Sequence, residues 1–421
     1  MPGHKGIGGA CERHDLTEVS GADSLYEANG IIKESEENAS RLFGSYTLYS
    51  TEGSSLAIRA MLYLAILEKN ESGRPVVLAG RNAHKVFVSA AALLDFDVEW
   101  IIGSGDSYLS ANPTADEVEK KLDSMEKKPI AVYITSPDYL GNTSDIEGIS
   151  RVCKARGVLL LVDNAHGAYL AFTTPAIHPI ALGADMCADS AHKTLPCLTG
   201  AAYLHVADSV SDNVKSRAKS ALALFGSTSP SYLILESLDR ANAYIEDGYR
   251  EKLASFTEKL TKLKAELSGY GYDLIGNEPM KLTIAPKSYG YTGYELAEIL
   301  TCARIVPEFA DPDFLVLMPT PEMTDTELER VKNVLYALKK REAILTGAPT
   351  LSLPAKRLSP REAVLSAAER ISVTEAEGRI LADITVGCPP AVPIAVSGEE
   401  LDNNTVKVFE YYGIDTCSVV K

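Results

Sequence analysis

Between residues 76 and 206, short apolar runs alternate with stretches of helical periodicity. Val76–Ala79, Val98–Ile102, Ile130–Thr135 and Val158–Val162 are nearly continuous apolar segments, with Glu99 the one charged interruption. A strand with one wet face alternates apolar and polar residues, whereas a strand covered on both faces does not. These runs therefore predict a parallel sheet with helices on both sides. Met186–Ala188 and Ala201–Val206 read as further strands, and Ala115–Met125 and Ile146–Ala155 as intervening helices. Ser54–Glu68 is a helix with an apolar majority, expected to be buried. Strand-helix alternation of this length predicts an α/β doubly wound domain.

The flanking segments divide the 421 residues into four expected units. Residues 1–35, rich in glycine and polar residues at the start, read as an irregular arm, and 36–248 as the large domain. In Tyr249–Leu267 the apolar residues Leu253, Phe256, Leu260, Leu263 and Leu267 recur at spacings of three and four. That is the pattern of an amphipathic helix. It opens a linker and small domain over 249–345, with a strand near Lys281–Ile284 and helices near Gly293–Cys302 and Asp325–Lys339. A proline-rich stretch at 349–360 begins a last α+β unit over 346–421.

Composition removes several classes of function. The net charge is −16, which disfavours nucleic acid or an anionic membrane as a partner of the overall field. Seven cysteines include no CxxC pair, so neither a disulfide framework nor a metal site is expected. The first residues carry no apolar signal core, and no apolar run reaches the roughly 18 residues of a membrane span. The expected location is the cytoplasm.

Four segments carry candidate chemistry. Lys193, in Ser190-Ala191-His192-Lys193-Thr194, lies in a loop between two strand-like runs. A lysine there is a Schiff-base candidate if its amine can lose a proton beside an aldehyde; taken alone it is more simply a surface lysine. Asp163 closes the Leu159–Val162 run. A carboxylate at the carboxyl end of a parallel strand points into the crevice where such sheets bind ligands. It could pair there with a protonated pyridine nitrogen, or act as an ordinary helix cap. Ala165 is small enough for a ring to lie against it. Gly53, Ser54 and Ser55 open the buried helix, where backbone N–H groups and the dipole make an anion site; serine capping accounts for them equally well. Glu52 beside them would repel a phosphate unless its side chain turns away. His84 follows the first apolar run and could stack on a ring or cap the next helix.

Together these segments resemble the Orn/Lys/Arg decarboxylases of bacteria, in their short form. Met1-Pro2-Gly3-His4-Lys5-Gly6 is similar to the family's opening motif, and Ser136-Pro137-Asp138-Tyr139-Leu140-Gly141 to its SPDYxG segment. Asp163–Gly167 resembles DxAHG, and Ser190–Gly200 resembles SxHKTLPxLTG. Pro389-Pro390 and Gly398-Glu399-Glu400 resemble a C-terminal PPGxPxxxPGE. Glu52, Cys388, Ala391 and Ser397 depart from the family's usual residues, and the chain opens directly on the first motif.

The resemblance implies a fold-type-I enzyme, α/β with a mostly parallel sheet and smaller C-terminal α+β units. It implies pyridoxal 5'-phosphate as cofactor and decarboxylation of arginine, lysine or ornithine to a polyamine-pathway amine. Lys193 would form the Schiff base, Asp163 would hold the ring nitrogen, and His84 and Ala165 would flank the ring. Gly53, Ser54, Ser55, Ser190 and His192 would surround the phosphate. Lys193 or His192 would return a proton to Cα. Such enzymes are homodimers or larger. Phe225–Pro230, with Thr228, resembles a segment that reaches the neighbour's phosphate, and Glu308, in Val306-Pro307-Glu308, resembles a residue facing the substrate. The same lysine and aspartate would serve aminotransfer or elimination. A non-catalytic protein on this fold is the remaining alternative.

Overall fold

The computed structural model describes residues 2–69, 73–103, 107–384 and 391–421. Its main sheet has seven strands: β1 Tyr46–Ser50, β2 Val76–Gly80, β3 Asp97–Ile101, β4 Ala131–Thr135, β5 Leu159–Asp163, β6 Met186–Asp189 and β7 Ala202–Val206. They lie in the order β1-β7-β6-β5-β4-β2-β3. The pairs from β6 to β3 are parallel, and β7 runs antiparallel to both β6 and β1. β3 lies on one side of β2 and β4 on the other, so the strand order reverses there. Crevices at such reversals, beyond the carboxyl ends of the strands, are where open α/β sheets bind ligands.

The apolar runs are explained by cover on both faces. Val132, Ile134, Leu160 and Val162 pack against Val118, Ile149 and Cys153 of the helices Ala115–Ser124 and Ile146–Ala155. Their sequence neighbours Ala131, Tyr133, Leu159 and Leu161 point the other way, into a core shared with the helix Gly53–Lys69. That helix is wedged between β6, β7 and the helix Asp212–Phe225, which is why its apolar residues form no single stripe. Glu99 is tolerated because β3 is the edge strand; its carboxylate is exposed and pairs with Lys121 at 3.2 Å.

Two expectations are corrected. The arm is not wholly irregular: Ala10–His14 is a helix, and a 3-10 turn over Leu25–Glu27 buries Leu25 completely. Tyr46–Ser50 is an additional strand. Its Thr47 and Ser50 are buried, because Thr47 Oγ1 meets His205 Nδ1 at 2.9 Å and Ser50 Oγ donates to the Gly53 carbonyl. Buried hydroxyls with partners inside the fold do not read as an apolar run.

The helix Tyr249–Tyr270 leads into a second, antiparallel sheet. Its strands are β8 Asp273–Ile275, β9 Leu282–Ala285, β10 Phe309–Ala310 and β11 Leu315–Leu317, in the order β10-β11-β9-β8. Beyond it, β12 Ala355–Lys356 pairs with β14 Glu399–Glu400, and β13 Ala368–Ser372 with β15 Thr416–Val420. Cys388, Pro389 and Pro390 of the C-terminal motif, and Met1 of the opening one, lie outside the described residues. Among the described residues, no helix is long and apolar enough to cross a membrane.

The C-terminal segment is tied to the crevice by Arg81, immediately after β2. Arg81 Nη2 donates to Glu399 Oε2 at 2.9 Å and to the Ile394 carbonyl at 3.0 Å, and its guanidinium lies 5.0 Å over Trp100. Both charges are buried. Burial pushes the Glu399 pKa up, and Arg81 opposes the rise. Removing one partner strands the other charge, so Glu399→Ala is expected to cost about 3–5 kcal/mol, read as a fall in Tm or in urea midpoint. The apolar pair Arg81→Met with Glu399→Leu should recover much of that loss.

Candidate active site

The carboxyl ends of β2, β4, β5 and β6 deliver their following residues into one cavity of about 220 Å³. It is lined by Ser54, Ile58, Asn82, His84, Thr135, Tyr139, Asp163, Ala165, His166, Lys193, Ala391 and Val392. Five of the expected site residues, Ser54, His84, Asp163, Ala165 and Lys193, therefore share one wall-to-wall space.

Asp163 is the last residue of β5, opposite Thr135 of β4 and Ala188 of β6. Its Oδ2 accepts from the Tyr133 hydroxyl at 3.0 Å, and its Oδ1 from the Ala165 amide at 3.2 Å. Burial drives its pKa up, while the Ala165 amide, Tyr133 and Lys193 oppose the rise. A carboxylate in this position gains from a cationic N–H partner. Next to it, Asn164 Nδ2 donates to Asp189 Oδ1 at 2.7 Å. Asp189 Oδ2 is met by His178 Nε2 at 2.9 Å and His205 Nε2 at 3.1 Å. Burial would raise Asp189, but the two histidines hold it below the usual carboxylate range. His178, Asp189 and His205 could by composition ligate a cation, their ligand atoms lying within 4.8 Å of one another. In the structure those atoms are hydrogen-bonded together, behind the cavity rather than in it.

Lys193 sits on the single helical turn Ala191–Thr194 that follows β6. Burial lowers its pKa, and Asp163 and Glu308 pull it back up. Its Nζ lies 2.8 Å from His166 Nε2. His166 was part of a recognised motif, but nothing in the sequence gave it this partner. His84 caps the helix Lys85–Leu94: its Nδ1 accepts from the Val86 amide at 3.2 Å. Burial, then the charges of Lys193 and Lys85, lower its pKa to about 4, so it faces the cavity as a neutral ring. The cap expected of His84 is present, and the same side chain lines the cavity.

The anion-binding residues are partly rearranged. Ser190 Oγ donates to Ser54 Oγ at 2.9 Å, joining two hydroxyls 136 residues apart. Gly53 has φ +71°, a left-handed conformation that glycine adopts without a Cβ penalty. Its own N–H donates to the Gly200 carbonyl at 2.7 Å, so Gly53 supplies a turn and leaves the next amides of the helix, at Ser54 and Ser55, to face an anion. Glu52 does turn away. Its Oε1 accepts from the Ser227 amide at 2.6 Å, which fastens the Phe225–Pro230 segment to the start of this helix. Thr228 in that segment is exposed.

His192 is not in the cavity wall. It is half-buried, and its Nδ1 pairs with the Ala201 carbonyl at 2.8 Å. Glu308 is exposed near the mouth, where its Oε1 accepts from the Tyr139 hydroxyl at 3.3 Å. Tyr139 lies in the SPDYxG-like segment and has no role legible in the sequence. It reaches the cavity from the loop after β4, and its ring meets His166 edge-on at 5.2 Å. Ala391 and Val392 bring the C-terminal segment into the wall. The Ala391 carbonyl accepts from the Lys85 amide at 2.9 Å, and Ala391 has φ +67°. A positive φ is where glycine is easiest, which accounts for glycine being usual at this position of the resembled motif.

A buried lysine amine and carboxylate in one crevice, beside the amide-rich start of a helix, form the donor set that pyridoxal-phosphate enzymes use. The match to known proteins is narrower. The Orn/Lys/Arg decarboxylase major domain matches residues 4–269, and the C-terminal domain of the same family matches residues 344–415. The chain belongs to the Orn/Lys/Arg decarboxylase family. It is 31% identical over 411 residues to the Bacillus subtilis protein YaaO, covering 93% of this chain and 84% of that one. It is 28% identical to an arginine decarboxylase of Halalkalibacterium halodurans, covering 95% and 87%. Lysine decarboxylase A of Pseudomonas aeruginosa superposes with a TM-score of 0.81 at 18% identity, over 100% of this chain and 78% of that one. By family the chain is thus a pyridoxal-phosphate-dependent amino-acid decarboxylase.

Proposed function

We propose that this enzyme decarboxylates arginine, lysine or ornithine to the corresponding amine, in the cytoplasm and as a homodimer or larger assembly, within polyamine synthesis. The carrying observation is that Lys193, Asp163 and His84 line one cavity with Ser54. The donor set fits pyridoxal phosphate. Lys193 would bond its aldehyde carbon, Asp163 would hold the ring nitrogen, and His84 and Ala165 would flank the ring. Ser54, Ser55 and Ser190 would take the phosphate, with Gly53 shaping the turn and His192 close by. When bound, the cofactor supplies an electron-poor ring that accepts the electrons left as CO₂ departs.

The chain's own part is to orient and to control protons. Burial raises the Asp163 pKa, so a cationic N–H beside its carboxylate is favoured, and the protonated ring nitrogen would supply one. The apolar walls at Ile58 and Val392 keep water from the departing carboxylate. Lys193, whose amine lies in the cavity wall, would be the group that returns a proton to the reacting carbon. Residues 36–248 would form the cofactor domain, 249–345 the linker and small domain, and 346–421 the C-terminal unit, with 1–35 as the arm. Thr228 is assigned to the phosphate site of a neighbouring subunit.

Glu308 is assigned to the cationic tail of the substrate. A hydrogen bond to a charged group contributes about 1.5–3 kcal/mol, so Glu308→Gln should raise KM about ten- to a hundred-fold. Steady-state kinetics on the preferred substrate read this directly, and an unchanged KM removes Glu308 from the tail site. The reaction itself is tested by product analysis with the three amino acids side by side. Amine plus CO₂ from one of them is expected; a keto acid would make the enzyme an aminotransferase instead.

A further inference from the structure

His166 is buried in the cavity wall, and its ring makes one hydrogen bond: Nε2 lies 2.8 Å from Lys193 Nζ. Its other nitrogen, Nδ1, is buried without a hydrogen-bond partner. A structural histidine usually has both ring nitrogens engaged, as His205 does between Asp189 and Thr47. Here the single bond is spent on the nitrogen that must act as nucleophile. His192, the other histidine near Lys193, has its Nδ1 occupied by the Ala201 carbonyl and does not line the cavity.

We propose that His166 is a catalytic residue, the general base and acid that carries protons to and from Lys193 as its amine bonds and leaves a carbonyl carbon. The assignment rests on Lys193 being the Schiff-base lysine of the reading above. A lysine ammonium bonding an aldehyde loses two of its three protons. Both end on the carbonyl oxygen, which departs as water as the carbon–nitrogen double bond forms. One proton stays on nitrogen. His166 carries the two protons in turn from Nζ to oxygen and finishes neutral, so no other reactant is needed.

The surroundings suit this exchange. Burial, then Lys193, Lys281, His84 and His192, hold the His166 ring neutral, and Tyr139 covers one edge. Lys193 is likewise lowered by burial, against the pull of Asp163 and Glu308. The charge on Lys193, 2.8 Å away, disfavours a proton on His166, and it disappears as the proton crosses. Two such groups titrate as a pair, which brings their proton affinities together during the transfer.

The test uses the full-length chain, freed of cofactor and mixed with pyridoxal phosphate. Absorbance follows the rate, and borohydride reduction with peptide mapping confirms attachment at Lys193. Wild type should react at a rate nearly independent of pH across the neutral range. His166→Asn should be about a hundred-fold slower, the usual scale of general acid–base assistance, with a rate that climbs with pH, and imidazole in the buffer should restore part of it. A variant within three-fold of wild type at every pH overturns the assignment. A solvent deuterium isotope effect on the wild-type rate provides a check that needs no variant: a normal effect is expected, and its absence also overturns the assignment. Capture is read without amino-acid substrate, so failure of this inference leaves amine production untouched, and failure to make amine leaves this result readable.

Discussion

Lys193→Ala is expected to abolish both the visible absorbance of bound pyridoxal phosphate and amine production, the latter by more than about a thousand-fold, the scale seen when a covalent catalytic group is removed. No neighbour can substitute. Lys281 is the other buried lysine near the site, and burial lowers its pKa to about 8. Its Nζ, however, donates to the Asp138 carbonyl at 2.8 Å and lies 5.8 Å from the centre of the Tyr139 ring, so that ring stands beside it at the cavity wall. Lys85 is exposed on the adjacent helix. The alanine variant should keep its Tm, because among the described residues the Lys193 side chain makes no ion pair and its hydrogen bond is to His166. A variant that retained the absorbance and its borohydride sensitivity would mean that another lysine bonds the cofactor.

Asp163→Asn should lower kcat about a hundred- to a thousand-fold, as removal of one preorganised electrostatic partner does. The side chain remains able to accept from the Ala165 amide, so the fold should persist. The accompanying pH shift has a defined sign. Asp163 raises the Lys193 pKa; without its charge, Lys193 loses its proton more easily. Aldehyde capture by the variant should therefore hold its full rate down to a lower pH than in wild type, even as decarboxylation fails. Slow capture and slow decarboxylation together would instead point to a collapsed cavity. An unchanged kcat would show that Asp163 does not hold the ring nitrogen.

The parts legible in the sequence are those written locally. A strand's end is marked by its last apolar residue, so Asp163 after Leu159–Val162 and Lys193 after the β6 run could be placed in the crevice. Gly53 and its serines could be placed at a helix start. What was not legible depends on side chains meeting across the fold. His166 and Lys193 are 27 residues apart, and no spacing rule brings an imidazole to that amine. Tyr139 and Glu308 are 169 residues apart. Arg81 and Glu399, separated by 318 residues, fasten Ala391 and Val392 to the cavity. Glu52 seemed to obstruct an anion until the structure showed its carboxylate held by the Ser227 amide. Tyr46–Ser50 escaped notice because its buried hydroxyls resemble a turn until Thr47 finds His205. His192 is a motif position whose Nδ1 is committed to the Ala201 carbonyl, a contact that its place in the motif does not announce.

The most direct test of the central claim is where pyridoxal phosphate becomes fixed when the purified wild-type enzyme is reduced with borohydride, digested and mapped by mass spectrometry. The label should fall on Lys193 alone, at close to one per chain. A label on Lys281, on Lys85 or spread over surface lysines would contradict the assignment of this cavity as the active site.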